Sequence, residues 1–226
     1  RNFEFFGTKN LLFEHNIITN ALDSGRSAST NAKFVADRGI FRFNRVFRNW
    51  GGAIHLYPFE ALWIKHVRLY NNVFDDNYDY GIAVSDSSAQ TEDIVFVNNV
   101  FSRNDGYGIH RQVEFQSMGL PLKGPEGEAI AKVSFVSNAL SGGAADDPGI
   151  IEFGAHQVDV DTVQGEAWSR MSTMNQAVFF ADNKAVSPRF VHPETYNHAL
   201  SADSPLIDAG RFLTRTVGAG QGRVVP

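Results

Sequence analysis

Cysteine is absent from the 226 residues, which excludes disulfides, thiolate metal sites and cysteine nucleophiles. No run of about 18 apolar residues occurs, so no helix is expected to span a membrane. Basic residues are the minority, 20 Lys and Arg against 25 Asp and Glu, for a net charge of -5. A chain of that sign lacks the basic surface that nucleic-acid backbones require. Also missing are G-x-S-x-G, the phosphate-binding loop, H-E-x-x-H and the dinucleotide fingerprint, so serine-hydrolase, nucleotide and zinc-protease readings have no support.

What the chain does have is a repeat. Residues 67–84, VRLYNNVFDDNYDYGIAV, match residues 94–111, IVFVNNVFSRNDGYGIHR, in the Asn-Asn-Val-Phe run and in the Gly-Ile pair. Extending the register gives six copies anchored at Leu11, Ile40, Val67, Ile94, Val133 and Val178, closely spaced at first and with insertions in the last two. Two residues after the anchors stand Phe13, Arg42, Leu69, Phe96, Phe135 and Phe180; at the sixth stand Ile17, Val46, Val73, Val100, Ala139 and Lys184.

The alternation of Val67 and Leu69 is strand periodicity, not the 3.6 of a helix. Each copy predicts three short strands. The first ends at a polar pair such as Asn71-Asn72 or Asn98-Asn99, with Asn16, Asn44 and Asn138 at matching places. The third opens at Gly81-Ile82, Gly108-Ile109 and Gly149-Ile150. Asn suits such corners because it tolerates left-handed backbone. Connections this short leave one solution, a coil of parallel strands with turns ~4.8 Å apart and a ladder of asparagines at one corner. A leucine-rich repeat would show its leucine spacing and a helical return arm, and a propeller would need longer blades with antiparallel hairpins.

On these features residues 10–190 resemble the right-handed parallel β-helix proteins of the pectate-lyase-like superfamily. The tail, SPRFV at 187–191 and ALSADSPLIDAG at 199–210, is similar to the closing segment of many secreted bacterial β-helix repeat proteins. The expectation is an all-β, right-handed parallel β-helix of about six turns over residues 1–190, with a closing segment at 191–213. A linker, TRTVGAGQGRVVP at 214–226, would lead to a missing domain. The chain is expected to be a fragment of a larger secreted or cell-surface protein.

Two inserted segments, 115–128 and 154–173, follow third strands and are expected to protrude on one side of the coil. Aligning the Gly-Ile pairs turns Ile54, Ile82, Ile109 and Ile150 inward. It sets His55, Ala83, His110 and Ile151 in an outward column, with Tyr57, Ser85, Gln112 and Phe153 two residues on. His55 and His110 would then lie two turns apart, ~9.6 Å.

The resemblance implies a groove for an extended polysaccharide along this sheet, and β-elimination on a uronate-containing chain as its chemistry. That reaction needs a base near neutral pKa and a cation for the enolate-like charge. The candidates are His55 and His110 as base or charge-stabilising groups, Lys65 and Arg111 as holders of carboxylates, and Tyr57 as a stacking ring. Ser85 and Gln112 stand beside them at the substrate. Strict alternation points Arg111 inward, which is costly unless the strand bends or a carboxylate meets it. Asp75, Asp76 and Asp79 offer oxygens to Ca²⁺, although such a run also suits a solvated turn.

Tyr107–Arg111, YGIHR, departs from the Gly-His-Gly of the galacturonan hydrolases, and no Asp pair falls on the Gly-Ile strands, which points away from hydrolysis by two carboxylates. The outer face of the first strands, with Leu12, Phe41, Val95 and Phe179 and then Phe43, Tyr70, Val97 and Val136, reads as apolar. It predicts a cover made by missing parts of the chain or by another subunit. The rival class of function is a non-catalytic structural, adhesive or carbohydrate-binding module, because fold alone does not select chemistry.

Overall fold

The computed structural model describes residues 3–21, 32–58, 62–86, 89–105, 111–142, 147, 149–211 and 213. In it the chain winds into a coil of three strands per turn, five turns with all three and a last one with two, preceded by the strand Phe3–Lys9. Sheet A collects the first strands: Leu12–Glu14, Ile40–Arg42, Ile64–Tyr70, Thr91–Val97, Val133–Val136 and Val178–Ala181. Sheet B collects the second: Ile17–Thr19, Arg45–Phe47, Val73–Asp75, Val100–Ser102, Ala139–Ser141 and Lys184–Ala185. Sheet C collects the third: Phe3–Lys9, Ala32–Asp37, Ile54–Leu56, Ile82–Ser85, Arg111–Gln116 and Ile150–Phe153. Sheets A and C are continuous, since Ala32–Asp37 pairs in parallel with strands of both.

The corners follow from local chemistry. Between sheets A and B each turn passes through one left-handed residue, successively His15, Phe43, Asn71, Asn98, Ser137 and Asp182, with φ between 54° and 57°. The next residue is an asparagine turned inward. Asn16, Asn44, Asn72, Asn99, Asn138 and Asn183 form the expected ladder, each Nδ2 donating to the next Oδ1 at 2.9–3.1 Å. Gln164 supplies the last rung, its Oε1 accepting from the Asn183 backbone and side chain. A second ladder runs through Asn49, Asn77 and Asn104 at the next corner and ends on Gln112.

Because every rung is both donor and acceptor in a buried setting, one missing rung orphans several groups at once. Asn72→Ala would strand the Asn44 backbone N–H, one Asn44 Nδ2 hydrogen and the Phe41 carbonyl, while Asn99 Oδ1 keeps the residue 72 backbone N–H. At roughly 1–3 kcal/mol for an unsatisfied buried group, the expected loss is ~3 kcal/mol of unfolding free energy in a denaturant titration. A loss under ~1 kcal/mol would show that water or neighbouring rungs replace it.

Inside the coil Phe13, Phe41, Phe74, Phe101, Phe135 and Phe180 run from turn to turn with centroids 5.0–6.3 Å apart. Phe41 corrects the sequence register. Leu12 pairs with Ile40 and Ile40 with Arg68, so Gly39 is the second anchor, Phe41 faces in and Arg42 faces out. At the sixth position Arg45, not Val46, matches Ile17 and Val73. A one-residue slip exchanges the faces of a strand. Here the exchange buries a phenylalanine and frees Arg42 to meet Glu14 at 2.5 Å and the Tyr70 hydroxyl at 3.0 Å.

The outer face of sheet A is consequently mixed. Leu12, Phe43 and Phe179 are exposed on it beside the Glu14–Arg42–Tyr70 run and the Arg68–Asp93 ion pair. The chain's own cover lies on sheet B instead. There residues 187–211 fold back, with His198 buried against Phe47 and bonded to Asp75, and with Arg45 and Arg48 donating to the carbonyls of Tyr196 and Glu194. Burial pushes the Asp75 carboxyl up, but hydrogen bonds from His198 and Arg103 outweigh it and hold the group below the usual carboxylate range. Residues 214–226 lie outside the described residues.

The insertions also differ from expectation. The first makes a hairpin of Leu122–Lys123 with Ala129–Ile130, anchored by the buried Asp86–Lys132 ion pair at 2.6 Å. The second does not protrude beside it. It turns back as His156–Val158, antiparallel to Ile150–Phe153, and continues into α1 (Val160–Gln164) and α2 (Glu166–Met171). Val160, Val163 and Trp168 are buried in the core, and α1 packs on the last strands of sheets A and B. Its apolar spacing closes the end of the coil. Among the described residues no helix is long and apolar enough to cross a membrane.

Candidate functional site

Sheet C carries the candidate site on its outward face. Its register is not the Gly-Ile alignment. Ile82 pairs with Ile54 on one side and with Val113, four residues beyond Ile109, on the other; Val113 in turn pairs with Ile151. The inward rows are therefore Ile54, Ile82, Val113, Ile151 and Leu56, Val84, Phe115, Phe153. The outward row between them is His55, Ala83, Glu114, Glu152. Ile151 and Phe153, expected to point outward, are buried.

Three candidates, Gln112, Lys65 and Arg111, stand otherwise than expected. His110 lies outside the described residues. Gln112 is fully buried: its Oε1 accepts from the Asn104 backbone and side chain and its Nε2 donates to the Asn104 carbonyl, so it closes the second ladder and does not meet substrate. Lys65 is bound to Glu92 at 3.2 Å, with Nζ 3.9 Å from the centre of the Trp63 ring. Arg111 escapes the inward position because the strand bulges between Arg111 and Val113.

At that bulge the guanidinium gathers three carboxylates. Arg111 Nη2 lies 3.2 Å from Asp79 Oδ1, and Nη1 lies 3.2 Å from Glu114 Oε2 and 3.6 Å from Glu152 Oε1. The side chains of Asp79 and Glu114 are only 6% and 9% exposed, and Glu152 is the most open at 20%. These are ion-pair contacts without hydrogen-bond geometry. Arg111 Nε, Asp79 Oδ1 and Glu114 Oε2 are buried and have no hydrogen-bond partner among the described residues. Three such atoms in one cluster are unusual, since buried polar atoms are almost always satisfied.

The protonation of the cluster follows from its surroundings. Burial pushes the Glu114 carboxyl up; Gln116 and Arg111 pull it down, Glu152 and Asp79 push it up again, and the net result is above the usual range. Asp79 is raised for the same reasons, by burial first and by Glu152, against Arg111. The buried Tyr80 hydroxyl stands well above its ordinary range, from burial and then from Asp79 and Glu114.

His55 joins the cluster from two turns away. Its Nε2 is 2.7 Å from Ser85 Oγ, Ser85 donates to Gln116 Oε1 at 2.7 Å, and Gln116 Nε2 donates to Glu114 Oε1 at 2.6 Å. The Ser85 hydroxyl has one proton and spends it on Gln116, so His55 must carry hydrogen on Nε2 for the run to be satisfied. The Tyr57 and Tyr80 rings flank His55 at 5.2 and 6.3 Å. Of the sequence candidates, His55, Ser85, Tyr57 and Arg111 thus belong to one constellation.

Glu114, Glu152 and Gln116 are not among the sequence candidates, and Asp79 is there as a calcium ligand and not as a partner of Arg111. The signal was present as the triplets Val113-Glu114-Phe115 and Ile151-Glu152-Phe153, which superpose on Ile54-His55-Leu56 without reference to glycine. The three aspartates read as calcium ligands have other partners. Asp75 is taken by Arg103 and His198, Asp76 by Arg48 and Asp79 by Arg111, and among the described residues no group of three or more His, Asp or Glu side chains is placed to hold a metal.

A family model described as right handed beta helix region matches residues 2–113. No curated protein and no solved structure matches the chain. The matched stretch ends one residue before Glu114, so it covers His55, Asp79 and Arg111 but not the two glutamates. Stacked parallel sheets, two asparagine ladders and this family match agree: the chain is a right-handed parallel β-helix repeat protein.

Proposed function

We propose that the outward face of sheet C binds an extended polysaccharide and cleaves it by hydrolysis, in a protein that works outside the cell or at its surface. The observation that carries this reading is Arg111 between the carboxylates of Glu114 and Glu152, on neighbouring turns, with Glu114 held above the usual range. Two carboxylates in unlike environments are what glycoside hydrolysis needs: a protonated one to donate to the leaving oxygen and an ionised one to act on the opposite side. Glu114 is assigned as the acid and the more open Glu152 as the second carboxylate. Arg111 sets the distance between them, while Ser85 and Gln116 fix the orientation of Glu114.

β-Elimination on a uronate, which the family resemblance implied, fits less well. It requires a cation to hold the sugar carboxylate. Arg111 and Lys65 are both ion-paired, and an incoming uronate would meet three carboxylates.

The test is a panel of neutral glycans, such as xylan and β-glucan, beside alginate, pectate and glycosaminoglycans. Each is followed for new reducing ends and for ultraviolet absorbance of an unsaturated product. Reducing ends without absorbance, from a neutral chain, are expected. Absorbance on a uronate chain would restore elimination, and silence on every chain would leave the non-catalytic module.

A further inference from the structure

At the corner leading into sheet C, the rings of Trp50 and Tyr78 lie face to face, 4.1 Å between centroids and 8° from parallel. Both are well exposed, at 49% and 36%. Backbone hydrogen bonds stack this corner turn on turn: Trp50 N–H donates to Ala21, Tyr78 N–H to Asn49 and Asp105 N–H to Asn77, each at 2.9 Å. Each N–H bonds the residue just before its row mate, so the row runs Trp50, Tyr78, Asp105, while Ala21 stands in line with Asn49. A carboxylate bounds the pair on the Tyr78 side. The rings stand in an open cleft of about 390 Å³, rimmed by Asn20, Arg48, Asp76 and Asp105. Of these, Arg48 is ion-paired to Asp76 at 3.3 Å, and Asp105 Oδ1 is buried with no hydrogen-bond partner among the described residues.

We infer that this corner is a sugar-binding subsite, in which the Trp50–Tyr78 stack takes the apolar face of a neutral pyranose ring and Asp105 accepts from its hydroxyls. A stacked pair could serve the coil alone, but here its neighbour Asp105 keeps an orphaned acceptor, which buried polar atoms rarely do. Flat aromatic surface beside polar groups is what a pyranose offers its complement to: C–H bonds on one face and hydroxyls at the rim. The acidic rim selects against anionic sugars, phosphates and sulfates. Tyr78 immediately precedes Asp79, so a chain lying on this platform would continue onto the Arg111 cluster. The inference rests on the glycan reading of sheet C, and extends it to a second contact point and a neutral substrate.

The experiment separates the two. Neutral oligosaccharides cut from xylan and from β-glucan are titrated calorimetrically into Glu114→Gln protein, which removes turnover, alone and combined with Trp50→Ala, Tyr78→Ala or Trp50→Phe. Either alanine is expected to weaken binding roughly 10- to 100-fold, the effect of losing one stacked ring, while Trp50→Phe keeps most of it. Thermal unfolding of each variant shows whether the coil is intact. Unchanged affinity in a folded Trp50→Ala protein would overturn the subsite, even where the wild type hydrolyses the same glycan. Binding that depends on Trp50 in a protein with no hydrolytic activity would uphold the subsite and sink the catalytic assignment. No binding of any neutral oligosaccharide would overturn the subsite outright.

Discussion

Arg111→Met is expected to cost about 3–5 kcal/mol of stability at pH 7, the penalty for removing one partner of a buried ion pair, and to cost far less in acid. The guanidinium is the cation that faces Asp79, Glu114 and Glu152, and the first two carboxylates are nearly enclosed. Even with Arg111 in place both titrate above their ordinary range; without it they move further up. A carboxyl raised in the folded state binds its proton more tightly there than in the unfolded chain. Stability then falls as pH rises from the unfolded value, about 4, through the folded one, and is regained as pH drops back. The difference between Arg111→Met and wild type should accordingly widen between about pH 4 and neutrality, and shrink toward the packing loss alone below that. Denaturant unfolding at a series of pH values measures this directly. A difference that stays constant with pH would mean that the three carboxylates do not depend on Arg111.

Much of this molecule is legible in its sequence because a solenoid repeats its physics. Asn72 and Asn99 announced the ladder, and the alternation of Val67 and Leu69 announced sheet A, since the same side chain must meet the same neighbour on each turn. What was misread lies where the turns are unequal. Ile40 looked like an anchor because it is apolar, yet burying Phe41 and freeing Arg42 decided the register. Gly108-Ile109 matches Gly81-Ile82 in sequence, but Ile82 pairs with Val113, in a strand that contains a bulge. Glycine marks a permissive backbone, not a pairing position; the triplets centred on His55, Glu114 and Glu152 mark the pairing itself. Gln112 could not be separated from a ligand-binding glutamine without knowing that it ends a row of asparagines. The cover on sheet B depends on where residues 187–211 return, a non-local contact that no repeat pattern encodes.

The same inequality between turns sets Glu114 beside Arg111 and Glu152, and Glu114→Gln is the sharpest test of the proposed acid. As general acid, Glu114 should contribute about 10²–10⁴ in kcat on whichever glycan is cleaved, so the amide is expected to remove nearly all turnover. Stability should move the other way. Ionising a carboxyl whose pKa is raised by burial and by two neighbouring carboxylates is unfavourable in the folded state. A neutral amide of the same shape still accepts from Gln116 Nε2 and relieves that repulsion. At pH 7 the variant should therefore be at least as stable as wild type, and the advantage should vanish below about pH 4, where Glu114 is protonated in both states. In wild type, activity should decline on the alkaline side as the acid loses its proton, a limb that the variant's residual rate lacks. Lost activity with lost stability would make Glu114 a structural partner of Arg111. Lost activity with stability kept or gained is the signature of a group held in an unfavourable state for the sake of proton transfer.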